Sequence, residues 1–264
     1  MKIIVCLKQV PDTNEVKINQ ETGTLIRDGV PSIMNPDDKN ALEAALQLKD
    51  NEQAHIVALS MGPPQAKEVL QEALSMGVDE AILISDRKFG GSDTWATATI
   101  LSAAIKKIAD YDIIFCGRQA IDGDTAQVGP EIAEFLNIPQ ITYVKEIHKT
   151  PKNTLEVSRF TEYGDYTYEV KTPVLLTAIK ELNTPRYPNV KGILEHFGKT
   201  DSVQIFTFDD LPVDATQIGL KGSPTNVFRS FVPVKNKHSE ILHGETVKDS
   251  TNLLVNKLAE ANLI

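Results

Sequence analysis

Residues 117–130 read Gly117-Arg118-Gln119-Ala120-Ile121-Asp122-Gly123-Asp124-Thr125-Ala126-Gln127-Val128-Gly129-Pro130. They follow an apolar run, Ile113–Cys116, and lead into a helical pattern. Strand-to-helix turns of this kind lie at the carboxyl edge of open α/β sheets, where ligands bind. The first turn of a helix leaves N–H groups unpaired and presents a positive dipole end, and both suit a pyrophosphate. Gly117 and Gly123 permit close backbone approach. Thr125 is placed to cap the helix, and Thr125 and Gln127 add side-chain hydrogen bonds. The same residues equally describe an ordinary capped helix after a turn. Two more loops, Cys6–Val10 and Ser60–Pro63, are expected at the same edge and complete a crevice for an adenosine moiety.

A second segment, Ser85-Asp86-Arg87-Lys88-Phe89-Gly90-Gly91-Ser92-Asp93-Thr94-Trp95-Ala96-Thr97, follows another apolar run. Gly90-Gly91 allows a tight backbone path, and Ser92 or Asp93 caps the next helix. Thr94 and Thr97 stand one turn apart, so their hydroxyls can face one ligand. The plain alternative is a capped helix with Trp95 in the core.

No catalytic residue and no metal site is assigned. His55, His148, His196, His238 and His243 are scattered, without HExxH spacing. GxSxG, GxxxxGK[ST] and GxGxxG are absent, so nucleotide binding here differs from the P-loop and Rossmann styles. Any redox chemistry must come from a cofactor. Cys6 and Cys116 each lie in an apolar run and read as small core residues. Neither has a CxxC partner.

The elements that must position these loops are legible from periodicity. Ile3–Leu7, Ile56–Leu59, Ala81–Ile84 and Ile113–Phe115 read as buried strands. They alternate with helices from Asn35-Pro36 to about Leu48, from the Ser60–Pro63 turn to about Met76, from Asp93 to about Ile108, and over Thr125–Leu136. This predicts an α/β fold, a parallel sheet with helices on both faces. Val16–Ile18 and Thr24–Arg27 suggest a small hairpin. Residues 141–147, 154–160 and 166–171 suggest a small antiparallel section, and Val174–Ala178 another buried strand. Glu181–Asn189 reads as a projecting loop before a short helix at 189–196. Residues 212–245 lack periodicity, and Val247–Leu258 is a last amphipathic helix. The domain expectation is 1–211 for the α/β domain and 212–264 for an arm.

The chain has 264 residues, 41% hydrophobic and 24% charged, with a net charge of −9. A sizeable core is expected at this length. No basic tract is present, which sets nucleic-acid binding aside. No apolar run approaches the ~20 residues of a membrane span. The two cysteines imply no disulfide framework, and with no signal-peptide pattern the expected location is the cytoplasm.

Taken together these segments resemble the beta subunit of electron-transferring flavoproteins over nearly the whole chain. The marks are Val5-Cys6-Leu7-Lys8-Gln9-Val10-Pro11-Asp12, Met34-Asn35-Pro36, Met61-Gly62-Pro63, Ala73-Leu74-Ser75-Met76-Gly77, the Gly117–Pro130 loop and Leu182-Asn183-Thr184-Pro185-Arg186-Tyr187. The resemblance implies an adenine-nucleotide hydrolase-like fold and an alpha subunit carrying its own FAD. In the housekeeping branch the beta site holds AMP as a structural ligand. In the electron-bifurcating branch it holds a second FAD that accepts hydride from NADH. Asp86-Arg87-Lys88-Phe89-Gly90-Gly91-Ser92-Asp93 is similar to that branch's DRxFxGxD pattern, and Asp122-Gly123-Asp124-Thr125 also matches it. The resemblance therefore points to FAD, with AMP as the alternative and NAD(H) as substrate.

Carried over by position, Cys6, Asn35, Met61 and Gly117–Val128 would line the nucleotide. That stretch comprises Gly117, Arg118, Gln119, Ala120, Ile121, Asp122, Gly123, Asp124, Thr125, Ala126, Gln127 and Val128. Amides near Gly123–Gln127 would take the phosphates, with Asp93, Thr94 and Thr97 close by. Pro185, Arg186, Tyr187, Val190 and Leu194 would dock a partner dehydrogenase of the acyl-CoA or 2-hydroxyacid type. Housekeeping members carry a Leu in that loop where this chain has Val190. Ferredoxin or flavodoxin is the implied acceptor, and redox activity would exist only within a complex. Two rivals stand beside this: a non-redox AMP-holding subunit, and an ATP-using enzyme of the same fold group. An SGGxDS-type loop after the first strand is missing, against the latter.

Overall fold

The computed structural model describes residues 1–12, 17–18, 25–26, 31–150, 154–225 and 239–264. The chain divides into two compact units, Met1–Phe228 and Arg229–Ile264.

In the first unit the strands are β1 (Lys2–Cys6), β2 (Gln9–Pro11), β3 (Lys17–Ile18), β4 (Leu25–Ile26), β5 (Ser32–Met34), β6 (His55–Met61) and β7 (Glu80–Ile84). They continue with β8 (Ile113–Gly117), β9 (Gln140–Thr150), β10 (Thr154–Thr161), β11 (Gly164–Lys171), β12 (Val174–Ala178) and β13 (Gln204–Phe206). The helices are α1 (Pro36–Asn51), α2 (Lys67–Met76), α3 (Thr94–Ile108), α4 (Val128–Leu136), α5 (Val190–His196) and α6 (Gly219–Gly222). Among the described residues nine strands form one sheet in the order β11-β10-β9-β12-β8-β1-β6-β7-β13. From β9 to β13 every pairing is parallel. The antiparallel β9–β11 wing continues the same sheet instead of forming a separate section.

The central strands are mostly apolar and buried on both faces because helices cover the sheet on either side. Alternate residues serve opposite cores. Ile3, Val5, Ile56 and Phe115 pack with α1 and α2. Ile4, Val57, Leu59 and Ile114 pack with α3 and α4. Chain order turns back at β1: the strands after it add on one side, while β8 joins the other. Such a reversal opens a crevice at the carboxyl ends of the two strands that flank it.

Local signals explain most element ends. Pro36 opens α1 with Asp37 and Asp38 in its first turn. Gly77 (φ 122°) ends α2, and Asn137 in the left-handed region ends α4. In β9, Tyr143 (φ 58°) makes a bulge against β12, and its amide donates to Thr177 Oγ1 at 3.1 Å.

Several expectations need correction. Asn35 does not cap α1 through its side chain. The helix expected from Thr125 begins at Val128, so Thr125 caps nothing. Trp95 is 45% exposed. It faces outward from α3 and stands edge-on to Phe135 of α4, with ring centroids 4.8 Å apart. The small hairpin appears as β3 paired with β4, while Val16, Thr24 and Arg27 lie outside the described residues. Residues 212–225 belong with the first unit, where α6 packs against the Gly90–Ser92 turn. Much of the remaining aperiodic stretch, 226–238, also lies outside the described residues.

In the second unit α7 (Val247–Glu260) starts with a capping box. Thr246 Oγ1 accepts the Asp249 amide at 3.2 Å, and Asp249 Oδ2 accepts the Thr246 amide at 3.0 Å. Lys257 pairs with Glu240, and Leu253, Leu254 and Val255 stay exposed. Among the described residues no helix is long and apolar enough to cross a membrane.

Candidate functional site

The crevice between β1 and β8 opens into a cavity of about 440 Å³, a volume typical of small-ligand sites. Cys6, Leu7 and Lys8 leave β1 into it, and Leu59 and Met61 reach it from β6. One wall is the Cys116–Ala120 turn with Gly123 and Thr125–Gly129. The other is Phe89, Gly91–Thr94, Thr97 and Leu101.

Two buried side chains hold the first wall in place. Asp38 Oδ2 accepts the Lys8 amide at 2.8 Å and Asp38 Oδ1 the Gly117 amide at 3.0 Å. One carboxyl group thus ties the loop after β1 to the loop after β8. Burial pushes its pKa up to about 7, against the pull of those hydrogen bonds. Asn35, fully buried, donates to the Gln119 carbonyl at 2.8 Å and accepts the Ile121 amide at 3.1 Å. Asn35 therefore sits behind the cavity wall and shapes it without lining it.

The loop between β8 and α4 folds over itself before the helix starts. The Gly123 and Asp124 amides both donate to the Ala120 carbonyl, so they are committed to the turn. The amides of Thr125 to Gly129 find no acceptor among the described residues. Ala126 (φ 53°) is followed by right-handed Gln127 (φ −101°, ψ −33°). This alternation of hand aims successive N–H groups to one side, the geometry of an anion-binding concavity. It stands next to the positive end of α4. A Cβ on Gly123 would meet nothing within 4 Å, whereas one on Gly117 would fall 2.3 Å from Asp38 Oδ1.

The side chains around this concavity are paired. Lys8 Nζ bonds Asp122 at 2.7 Å at the rim, and Gln119 donates to Asp124 at 2.9 Å. Arg118 Nε lies 3.3 Å from Asp37 Oδ2, with its guanidinium 5.8 Å from the Tyr143 ring. Burial raises the Asp37 pKa, and Arg118 opposes that rise. On the second wall Asp93 caps α3 by accepting the Ala96 amide at 3.0 Å. Thr94 Oγ1 donates to Glu131 Oε1 at 3.1 Å, and burial raises the Glu131 pKa. Among the described residues no group of three His, Cys, Asp or Glu is placed to hold a metal ion.

Of the residues singled out in sequence, Cys6, Met61, Asp93, Thr94, Thr97, Gly117 to Ala120, Gly123 and Thr125 to Val128 line the cavity. Ile121, Asp122, Asp124 and Asn35 are not among its lining residues.

A family description for the electron transfer flavoprotein domain matches residues 22–209. The electron transfer flavoprotein subunit beta of Clostridium acetobutylicum is 57% identical over 264 residues, covering 100% of both chains. The chain belongs to the electron transfer flavoprotein family. Two further relatives span 100% of both chains. They are the caffeyl-CoA reductase-Etf complex subunit CarD of Acetobacterium woodii, 52% identical, and the acryloyl-CoA reductase electron transfer subunit gamma of Anaerotignum propionicum, 48% identical. Membership implies a flavin- or nucleotide-type cofactor.

Two residues of the site carry no strong local signal. Asp38 is not among the residues that local pattern singles out. The doubled acid after Asn35-Pro36 was the available signal. Leu101 lines the cavity one turn beyond Thr97 and two beyond Thr94, so helical spacing alone points to it.

In the 183–197 region, Tyr187, Val190 and Leu194 are 91%, 75% and 73% exposed. Arg186 is not free to meet a partner. Its Nε and Nη2 grip Glu43 at 2.8 and 3.0 Å, and Nη2 bonds Asp50 at 2.6 Å. The base of this projection is therefore clamped to α1 while its apolar tip is open.

Proposed function

We propose that this chain is the beta subunit of a heterodimeric electron-transferring flavoprotein whose cavity holds FAD. The FAD would accept hydride from NADH and divide the electrons between the alpha-subunit FAD and ferredoxin or flavodoxin, or work in reverse. The observation that carries this reading is the pairing of two unlike ends in one cavity. Free amides from Thr125 to Gly129 suit a diphosphate, and the wall of Phe89, Thr97 and Leu101 suits a flat ring system. The Asp86–Asp93 pattern favours FAD over AMP.

The chain's own residues bind and orient. Asp38 and Asn35 fix the loop whose amides face the phosphates. Leu59, Met61 and Leu101 exclude water from the floor. The hydroxyls of Thr94 and Thr97 supply polar contacts. The exposed tip at Tyr187, Val190 and Leu194 docks a flavin dehydrogenase. An acyl-CoA type is favoured because two relatives are named for acyl-CoA reductases. The second unit, with its exposed Leu253 and Leu254, contacts the alpha subunit.

The test is to purify the complex and count its nucleotides. Two FAD per heterodimer is the expected result. One FAD and one AMP would rule out bifurcation. Gly123→Trp should empty this site and leave the alpha-subunit flavin in place.

A further inference from the structure

Cys6 and Cys116 are the only cysteines of the chain. β1 and β8 run parallel, with Ile4 opposite Ile114 and Val5 opposite Phe115. Continuing that register by one residue sets Cys6 opposite Cys116. Neighbouring strands stand ~4.8 Å apart, and opposed residues project from the same face. Both thiols lie in the same apolar cluster as Ile4 and Ile114, and both line the cavity. Neither is in a disulfide. The adjacent Cys6 thiol and burial push the Cys116 thiol above its ordinary range. Two thiols thus sit side by side where the cavity meets the ends of β1 and β8.

We propose that Cys6 and Cys116 form a two-thiol capture site in the cavity floor for soft electrophiles that bridge two sulfurs, of which trivalent arsenicals are the chemical class. Bridging and nucleotide binding exclude each other, and that second clause rests on the nucleotide reading of the cavity. The step balances without an oxidant. An arsenoxide RAs=O and two thiols give a cyclic RAs(SR′)2 and one water. Two As–S bonds form, the As=O bond and both S–H bonds break, and the two protons leave with the oxygen. Arsenic and sulfur keep their oxidation states. Once the first sulfur is bound, the second closes the ring intramolecularly at high effective concentration. Reagents that need a thiolate react slowly at Cys116, because it is held as the thiol.

The experiment depletes the complete complex of bound nucleotide, treats it with phenylarsine oxide, then reads the intact mass and free thiols of this chain after separation. The expected result is one arsenical per chain with both thiols lost, reversed by a dithiol and not by a monothiol. Cys6→Ala and Cys116→Ala should each cut retention at least about tenfold, because the chelate ring is gone. Cys6→Ser and Cys116→Ser supply a second pair should an Ala variant fail to fold. No adduct on the wild-type chain, or equal retention by the single variants, overturns the site. Saturating FAD or AMP should slow capture. Capture at an unchanged rate overturns the exclusion and counts against the nucleotide reading, while the two-thiol site stands.

Discussion

Asp93 Oδ2 accepts both the amide and the hydroxyl of Thr225, at 2.9 and 2.7 Å, across 132 residues of sequence. The other carboxylate oxygen caps α3, and the Asp93 amide donates to Ser223 Oγ at 2.8 Å. One side chain therefore joins the cavity wall to the segment that follows α6. Thr225→Val is predicted to speed amide exchange over 219–225 while leaving α3 intact. Asp93→Asn is predicted to loosen both, and hydrogen–deuterium exchange distinguishes the two patterns. Burial pushes the Asp93 pKa up, but its hydrogen bonds outweigh burial and the net shift is downward. This contribution is therefore present above the ordinary carboxylate range. It is lost as pH falls through the lowered pKa.

Asp38 works in the opposite sense. Its carboxyl ordinarily titrates at 3.8 and in the fold near 7. Between those values the folded state holds the extra proton, so stability from this group declines as pH rises from about 4 to about 7. The full decline is on the order of 4 kcal/mol, at about 1.4 kcal/mol per unit. Asp38→Asn should flatten that part of the stability–pH curve, measured by denaturant unfolding at several pH values. A slope identical to that of the wild type would show that Asp38 is not the group responsible.

Gly117 and Gly123 separate folding from binding. A Cβ at 117 would also press on Asp38 N at 2.6 Å and Asp37 C at 2.7 Å, which are backbone atoms of α1. Gly117→Ala is predicted to cost about 1–3 kcal/mol through overpacking. Gly123→Ala, with open space around it, should stay within about 0.5 kcal/mol of wild type. It should nevertheless weaken nucleotide retention, because the added methyl stands at the face offered to the ligand. Thermal unfolding and bound-nucleotide counts on both variants check the contrast.

Arg186→Ala leaves Glu43, whose side chain is 5% exposed, without its cation. The expected loss is about 2–4 kcal/mol, as for breaking a largely buried pair. Leu194→Ala should leave stability unchanged and weaken binding of a dehydrogenase partner. Urea midpoints and partner titrations run side by side decide this. An Arg186 variant of full stability that binds its partner poorly would return Arg186 to the docking surface.

Much of the architecture was legible because it is local. The apolar strands, the Pro36 helix start, the Asp93 cap and the break after Met76 each depend on residues within one or two turns. The β9–β11 strands were also readable, but their membership of the main sheet was not. It depends on β9 pairing with β12 across a bulge at Tyr143. The start of α4 was misplaced by three residues because Thr-rich caps and tight turns share a composition. Trp95 was drawn to the core by size alone, whereas the face it occupies on α3 is set by its small neighbours Ala96 and Ala98, both fully buried.

Short-range pattern and residue identity suffice for the α/β class, the loop at 117–130 and the family resemblance. Tertiary structure is needed to reverse the chain at β1, which sets Cys6 beside Cys116 and opens the cavity at the carboxyl ends of β1 and β8. It also decides which amides stay free and that Asp38 links the Lys8 amide to the Gly117 amide, the latter 79 residues beyond Asp38. The reason is physical: strand order, register and burial are fixed by contacts between distant segments, and no local pattern encodes which distant strand will be the neighbour.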